Sequence, residues 1–226
     1  MKKDLSIAKN FIDEEFSETM RRALEGEIRP KNKARLMEYV LKNKAWNDTI
    51  IYEKKKSGSP ILKNKDVVCD TFIEEMKKLD DDYIDYQSWH ESALKRLAED
   101  YFGSKYGMAQ KYINMSIKYI YFLELVYGVE LFDISLKEFE RDFDVPIDSF
   151  ILKWVIYNSV TDSEFVDRAG EISSWNKMDS NTYFFIQEKT KELLRKKYGN
   201  AASILIAETL IWSGIKDLKS KINMEL

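Results

Sequence analysis

The segment GSKYGMAQKYINMSIKYIYFL, residues 103–123, has two glycines near its start and no further glycine or proline before Gly128. Apolar side chains cover nearly the whole circumference of the helix that this segment predicts. A helix of that kind normally lies at the centre of a domain, because no broad face of it is suited to water. We therefore predict a compact all-α domain built around a central buried helix at residues 107–123.

One narrow polar strip interrupts the apolar surface of this helix. Its members fall at positions i, i+1, i+4 and i+8 and therefore share one face: Gln110, Lys111, Asn114 and Lys118. Two cations and two amides on one face suit a phosphate group or the edge of a nucleobase. We predict that these four residues bind a ligand in an interior cleft. The alternative is that both lysines extend along apolar neighbours and pair with acidic residues of other helices.

The remaining segments also have helical periodicity. Apolar residues recur at three- and four-residue spacing within 5–24, 34–46, 67–79, 89–101, 147–155, 183–194 and 204–222. No segment alternates as a strand does, and the chain has no Asn-Gly or Asp-Gly hairpin signal. We expect about 8–11 helices, with capping boxes at residues 135–138 and 161–164.

Two glycines and two aspartates indicate how particular helices begin and end. Gly103 suits the end of one helix, and Gly107 allows the next helix to begin close to a neighbour. Asp148 and Asp179 are suited to cap helix N-termini. Asp148 and Trp175 also lie on connections, where charged and aromatic side chains can line a pocket.

The clearest loop combines a charge run with Ser, Gly and Pro at residues 53–60. We predict a boundary at residues 54–60, between an N-terminal helical subdomain (1–56) and a main helical domain (61–226). The alternative is a single domain.

Composition excludes several classes of protein. A hydrophobic share of 44% in 226 residues is too high for a disordered chain. No apolar run approaches the roughly 20 residues of a membrane span, so we expect no membrane partner. With one cysteine, Cys69, no internal disulfide can form, and the natural expectation is a reducing, cytoplasmic location.

Net charge is −3, yet residues 28–60 carry nine basic and three acidic side chains. Tyrosine and tryptophan residues lie between the cations, which is a combination that binds single-stranded nucleic acid through charge and stacking. A solvated helix face followed by a loop is the alternative explanation. The predicted nucleic-acid contacts in this basic segment are Lys31, Lys33, Arg35, Lys42, Lys44, Lys54, Lys55 and Lys56.

Few residues are suited to catalysis. We expect the single histidine, His90, at the surface or at a helix cap, and Cys69 as a small buried residue. One cysteine and one histidine cannot supply the usual zinc ligands, so we predict no metal site and no cofactor. Asp80, Asp81 and Asp82 could recruit a hard cation, although such runs more often mark a solvated helix end.

The leading hypothesis is the binding of an anionic ligand, either a nucleotide or a nucleic acid, by the polar strip and the basic segment. A second hypothesis is a helical interaction module that docks another protein or a second copy of itself. A third is a carboxylate- or metal-dependent enzyme that uses residues 80–82, so the sequence leaves open whether the protein is an enzyme.

Overall fold

The computed structural model describes residues 2–16, 30–50, 59–79, 85–172, 174–199 and 203–224. Each of these ranges contains at least one helix. These ranges contain no strand, which confirms the predicted all-α class. No described helix is both long and apolar enough to cross a membrane.

The α-helices of the described ranges, numbered in chain order, are α1 (Lys2–Glu15), α2 (Pro30–Glu38), α3 (Lys65–Leu79), α4 (Tyr86–Tyr101), α5 (Tyr106–Tyr127), α6 (Ser149–Asn158), α7 (Ser163–Gly170), α8 (Ser180–Tyr198) and α9 (Ile204–Met224). A π-helical segment, Tyr39–Ala45, continues α2 into a last α-helical turn, Trp46–Thr49. Short 3₁₀ turns lie at Pro60–Asn64, Leu136–Phe139 and Trp175–Lys177.

Helix α5 is the centre of the fold, as the sequence predicts. Each of its residues from Gly107 to Glu124 is buried. It packs against α1, the π-helical segment, α4, α8 and two of the 3₁₀ turns. The helix ends at Gly128, which has a φ of 66° and therefore takes the left-handed conformation that favours glycine at a helix end.

Gly107 allows α5 to begin directly against the turn at residues 175–177. Its amide donates a hydrogen bond to the Met178 carbonyl at 3.1 Å. A Cβ atom at position 107 would lie only 1.8 Å from the carbonyl oxygen of Trp175. The prediction that this glycine permits a close approach is therefore confirmed.

Aspartates cap several helices. As predicted, the Asp148 carboxylate caps α6 by accepting hydrogen bonds from the Phe150 and Ile151 amides, and Asp179 caps α8 by accepting one from the Thr182 amide. The two predicted capping boxes are wrong. The Ser135 hydroxyl bonds to a buried carboxylate from α5, and Asp162, rather than Thr161, caps α7.

Aromatic side chains join the N-terminal helices to the same apolar core as the rest of the chain. Phe11 of α1 lies with its ring centroid 5.5 Å from Tyr119 and 5.3 Å from Phe122, both on α5. Trp46 lies edge-on to Tyr112 at 6.1 Å. Most of the predicted boundary at residues 54–60 falls outside the described residues, so the division into two domains stays a prediction.

Candidate functional site

The polar strip of α5 faces two different environments. Gln110 and Asn114 point towards the segment 143–148 and towards α8, where a buried hydrogen-bond network surrounds them. Lys111 and Lys118 line a cavity on the neighbouring part of the helix surface. Successive helical residues are about 100° apart, so neighbours such as Gln110 and Lys111 can face different environments.

Gln110 and Asn114 hold the segment that leads to Asp148. The Gln110 amide accepts a hydrogen bond from the Ile147 backbone N–H at 3.0 Å and donates one to the Ile147 carbonyl at 2.7 Å. Asn114 donates to the Val145 carbonyl at 3.1 Å. These two amides therefore fix the backbone just before Asp148. They do not line the cavity, and their predicted contact with a ligand stays a prediction.

His90 lies in the same network and is fully buried, so the expectation of a surface or capping residue is wrong. Its Nε2 is 2.8 Å from the Asn114 side-chain oxygen, and its Nδ1 is 3.4 Å from Asp144. Tyr183 donates to Asp144 at 2.6 Å, and Lys191 also pairs with it. Burial raises the pKa of Asp144, but His90 and Lys191 outweigh burial, so the pKa is below its ordinary value of 3.8.

The cavity beside α5 has a volume of about 200 Å³. Helices α1, α6 and α9, the helical turn Trp46–Thr49 and one 3₁₀ turn contribute to it along with α5, and its walls combine charged and aromatic side chains. The lining residues are Phe11, Glu15, Asp48, Lys111, Met115, Lys118, Tyr119, Asp148, Ser149, Phe150, Trp175, Glu208 and Trp212.

Lys111 occupies one side of the cavity and pairs with the residue that caps α6. Its Nζ lies 3.1 Å from Asp148 Oδ2, and both side chains are largely buried. Burial lowers the pKa of Lys111, but the surrounding carboxylates, Asp148 first among them, outweigh burial and raise the pKa above 10.5. The Lys111 ammonium is therefore a charged hydrogen-bond donor at neutral pH.

Lys118 lies two helical turns further along α5. Its Nζ bonds to Glu208 of α9 at 2.5 Å, and each of the two side chains is only 2% exposed. The same ammonium lies 4.4 Å from the ring centroid of Phe11, which is within the range of a cation–π interaction. This pair links α1, α5 and α9 around the cavity.

Two further carboxylates, Glu15 and Asp48, meet at the Tyr119 hydroxyl. That hydroxyl lies 2.9 Å from Asp48 Oδ2 and 3.5 Å from Glu15 Oε2. Lys44 of the π-helical segment pairs with Glu15 at 3.1 Å. Burial raises the pKa of Asp48, and the nearby Lys111 charge and the Tyr119 hydrogen bond offset this only in part.

The basic segment is described only in part. Lys42 pairs with Asp66 at 2.8 Å, and Lys44 pairs with Glu15, so Lys44 brings the segment to the cavity wall. Arg35 is exposed, and Lys33 is half-buried. The remaining members lie outside the described side chains: Lys31, Lys54, Lys55 and Lys56.

The sequence predicts the two lysines of the cavity and Asp148, but not Glu208, which pairs with Lys118. Glu15, Asp48 and Glu208 carry no local signal that distinguishes them from the other acidic residues of the chain. Asp148 and Trp175 did carry a signal, since both lie on connections next to helix starts.

The described residues contain no group of three or more histidine, cysteine or acidic side chains placed to hold a metal ion. Asp80, Asp81 and Asp82 lie outside the described residues. The hypothesis of a carboxylate-dependent enzyme rests on these three residues and therefore stays a prediction. No family model, curated protein or solved structure matches this chain.

Proposed function

We propose that the protein binds a nucleotide, either free or as a unit of single-stranded nucleic acid, with the base in the cavity beside α5. One observation carries this proposal. The cavity offers ammonium donors and carboxylate acceptors between aromatic walls, on the same helix face that the sequence marks as polar.

The charges of the cavity favour an uncharged ring over a phosphate group. Two ammoniums and four carboxylates line it, so an anion inside would meet more negative than positive charge. A nucleobase has N–H donors that suit carboxylates and carbonyl acceptors that suit lysines. Aromatic side chains such as Trp175 and Trp212 provide faces on which a base can stack, and such stacking contributes about 1–3 kcal/mol.

The phosphate groups would lie outside the cavity, where the basic segment begins. Lys44 pairs with Glu15, which lines the cavity, and Arg35 of the same basic segment is exposed. Basic side chains near the phosphates would provide a salt-dependent attraction that does not depend on the base. The two predicted regions therefore bind different parts of the nucleotide. Helix α5 binds the base, and residues of the 28–60 segment bind the phosphates.

The test is equilibrium binding of fluorescent single-stranded and duplex oligonucleotides at increasing salt, together with competition by mononucleotides. We expect the single strand to bind more tightly than the duplex, because a paired base is not available to the cavity. Lys111→Met keeps an apolar stem but removes the ammonium, and it should weaken binding at least tenfold.

Lys189→Met is the matched control, because Lys189 pairs with Asp162 and Glu192 and does not line the cavity. This variant should bind like the wild type. Absence of binding to any nucleotide or oligonucleotide at low salt would overturn the proposal, and so would equal loss in both variants.

The interaction-module hypothesis stays open beside this proposal. Tyr157 and Val160, at the end of α6, are 77% and 67% exposed and are suited to contact another protein. A cytoplasmic location likewise stays a prediction from the single cysteine.

A further inference from the structure

Three of the four carboxylates that line the cavity already pair with a lysine. Glu15 pairs with Lys44. Asp148 pairs with Lys111, and Glu208 pairs with Lys118. A ligand that used any of these three carboxylates would have to share it with a cation already in place.

Asp48 differs from the other three. Within the described residues it has no lysine, arginine or histidine nitrogen within 4 Å, and its one hydrogen bond comes from the Tyr119 hydroxyl to Oδ2. Oδ1 accepts no hydrogen bond from those residues. A carboxylate has about four acceptor positions, so the described residues use only a small part of the hydrogen-bonding capacity of Asp48.

The position of Asp48 suits contact with the edge of a ring. Asp48 comes from the helical turn Trp46–Thr49 and Lys111 comes from α5, so a planar ring between them would meet an acceptor and a donor. A partly buried carboxylate is destabilised unless donors satisfy it, and a ligand N–H would supply such a donor.

On the basis of the proposed function, we infer that Asp48 holds the edge of the bound base by accepting a hydrogen bond from an imino or amino N–H of that edge. The base then binds with this N–H towards Asp48. The cavity discriminates against bases whose edge nitrogen carries methyl groups in place of hydrogen.

The test is calorimetric titration of the full chain with four pairs of nucleosides. Each pair compares a nucleoside with the analogue in which methyl groups replace the edge N–H: uridine with 3-methyluridine, guanosine with 1,N2,N2-trimethylguanosine, adenosine with N6,N6-dimethyladenosine, and cytidine with N4,N4-dimethylcytidine. For the nucleoside that binds most tightly, we expect methylation to weaken binding to the wild type about 10- to 100-fold, which is the effect of losing a hydrogen bond to a charged group.

Asp48→Ala removes the acceptor and opens space for a methyl group, so the ratio within each pair should fall close to one. Asp66→Ala is the matched control, because Asp66 is an exposed carboxylate that pairs with Lys42. Its ratio should equal that of the wild type. The melting temperature of each variant verifies that it is folded.

The outcomes separate this inference from the function on which it rests. If wild type binds a nucleoside and its methylated analogue equally, the role of Asp48 is wrong and the proposed function stands. Equal weakening of both members of a pair by Asp48→Ala also contradicts a role in selection. If no nucleoside binds to wild type although mononucleotides do, the inference fails alone. If neither nucleosides nor mononucleotides nor oligonucleotides bind, the proposed function fails and the inference fails with it.

Discussion

At the scale of single residues, Asp48 is a cavity carboxylate whose burial is offset only in part by its neighbours. It lies on the cavity wall without a cationic partner among the described residues, and burial raises its pKa. A carboxylic acid with a raised pKa in the folded state makes its contribution to stability below its unfolded pKa, and that contribution is lost as the pH rises through the folded pKa. At neutral pH the charged Asp48 therefore destabilises the fold.

We predict that Asp48→Asn raises the melting temperature at pH 7, because it removes a charge that burial disfavours. The difference from wild type should shrink as the pH falls through the raised pKa of Asp48, because Asp48 then takes up a proton. Thermal unfolding followed by circular dichroism between pH 4 and 8 measures this.

Asp66→Asn is the control, because the hydrogen bond from Lys42 lowers the pKa of Asp66. The charged form of Asp66 therefore stabilises the fold at neutral pH, whereas the charged form of Asp48 destabilises it. This variant should not raise the melting temperature at pH 7. A pH-independent effect of Asp48→Asn would contradict the account of its burial.

The positions of the polar-strip residues on α5 could be predicted from the sequence only in part. Helical spacing correctly put Lys111 and Asn114 on one face, because that depends only on local geometry. It could not separate the residues that line the cavity from those that hold the segment before Asp148. That separation depends on which distant segments pack against each side of α5.

At the scale of elements, the beginning of α5 positions one wall of the cavity. Gly107 contacts the turn that carries Trp175, and a Cβ atom there would overlap the Trp175 carbonyl oxygen. The fit of helix to turn therefore depends on the absence of one side chain.

We predict that Gly107→Ala destabilises the fold by about 1–3 kcal/mol or more, because the turn must move away from α5. It should also weaken nucleotide binding, since Trp175 moves with the turn. Urea unfolding and calorimetric titration measure the two effects.

Gly214→Ala is the matched control, because Gly214 lies inside α9 and its added Cβ would meet nothing within 4 Å. Alanine there should stabilise the fold by about 0.5–1 kcal/mol through helix propensity. If both substitutions had the same small effect, the close contact at Gly107 would be excluded.

Helix positions could be predicted from local signals, whereas the π-helical segment could not. Apolar periodicity, glycines and the aspartate caps of α6 and α8 act within a few residues, and they placed most helices correctly. The π-helical turn, Tyr39–Ala45, depends on packing against α5 and leaves no distinct local pattern. It is this turn that carries Lys44 to Glu15.

At the scale of the whole molecule, the cavity is held together by contacts between residues far apart in the chain. Lys118 and Glu208 are separated by 90 positions and are both almost fully buried. The sequence predicts an interior cleft and, as the alternative, the pairing of both lysines with acidic residues of other helices. Periodicity does not identify the partner of an amphipathic helix, so it could not predict that Glu208 pairs with Lys118 or which helices surround the cavity.

We predict that Lys118→Met destabilises the fold by about 3–5 kcal/mol, because it leaves Glu208 buried without its cation. Adding Glu208→Leu should restore a large part of that loss, since the double variant replaces a buried ion pair with apolar groups. Urea unfolding of the wild type, both single variants and the double variant gives the coupling free energy. Simply additive losses would contradict a paired, buried arrangement.

The most direct test of base binding in the cavity fills the cavity without changing any charge. Ser149 lines the cavity and is the first residue of α6, directly after the cap Asp148. Ser163 has the equivalent position in α7, directly after the cap Asp162, and it is exposed. Leucine at either site therefore makes the same chemical change at the same helix position.

The measurement is calorimetric titration of mononucleotides into wild type, Ser149→Leu and Ser163→Leu, with the melting temperature of each variant as the check on folding. We predict that Ser149→Leu loses binding at least tenfold while it remains folded, and that Ser163→Leu binds like the wild type. Undiminished binding by a folded Ser149→Leu variant would contradict the claim that the cavity beside α5 receives the base.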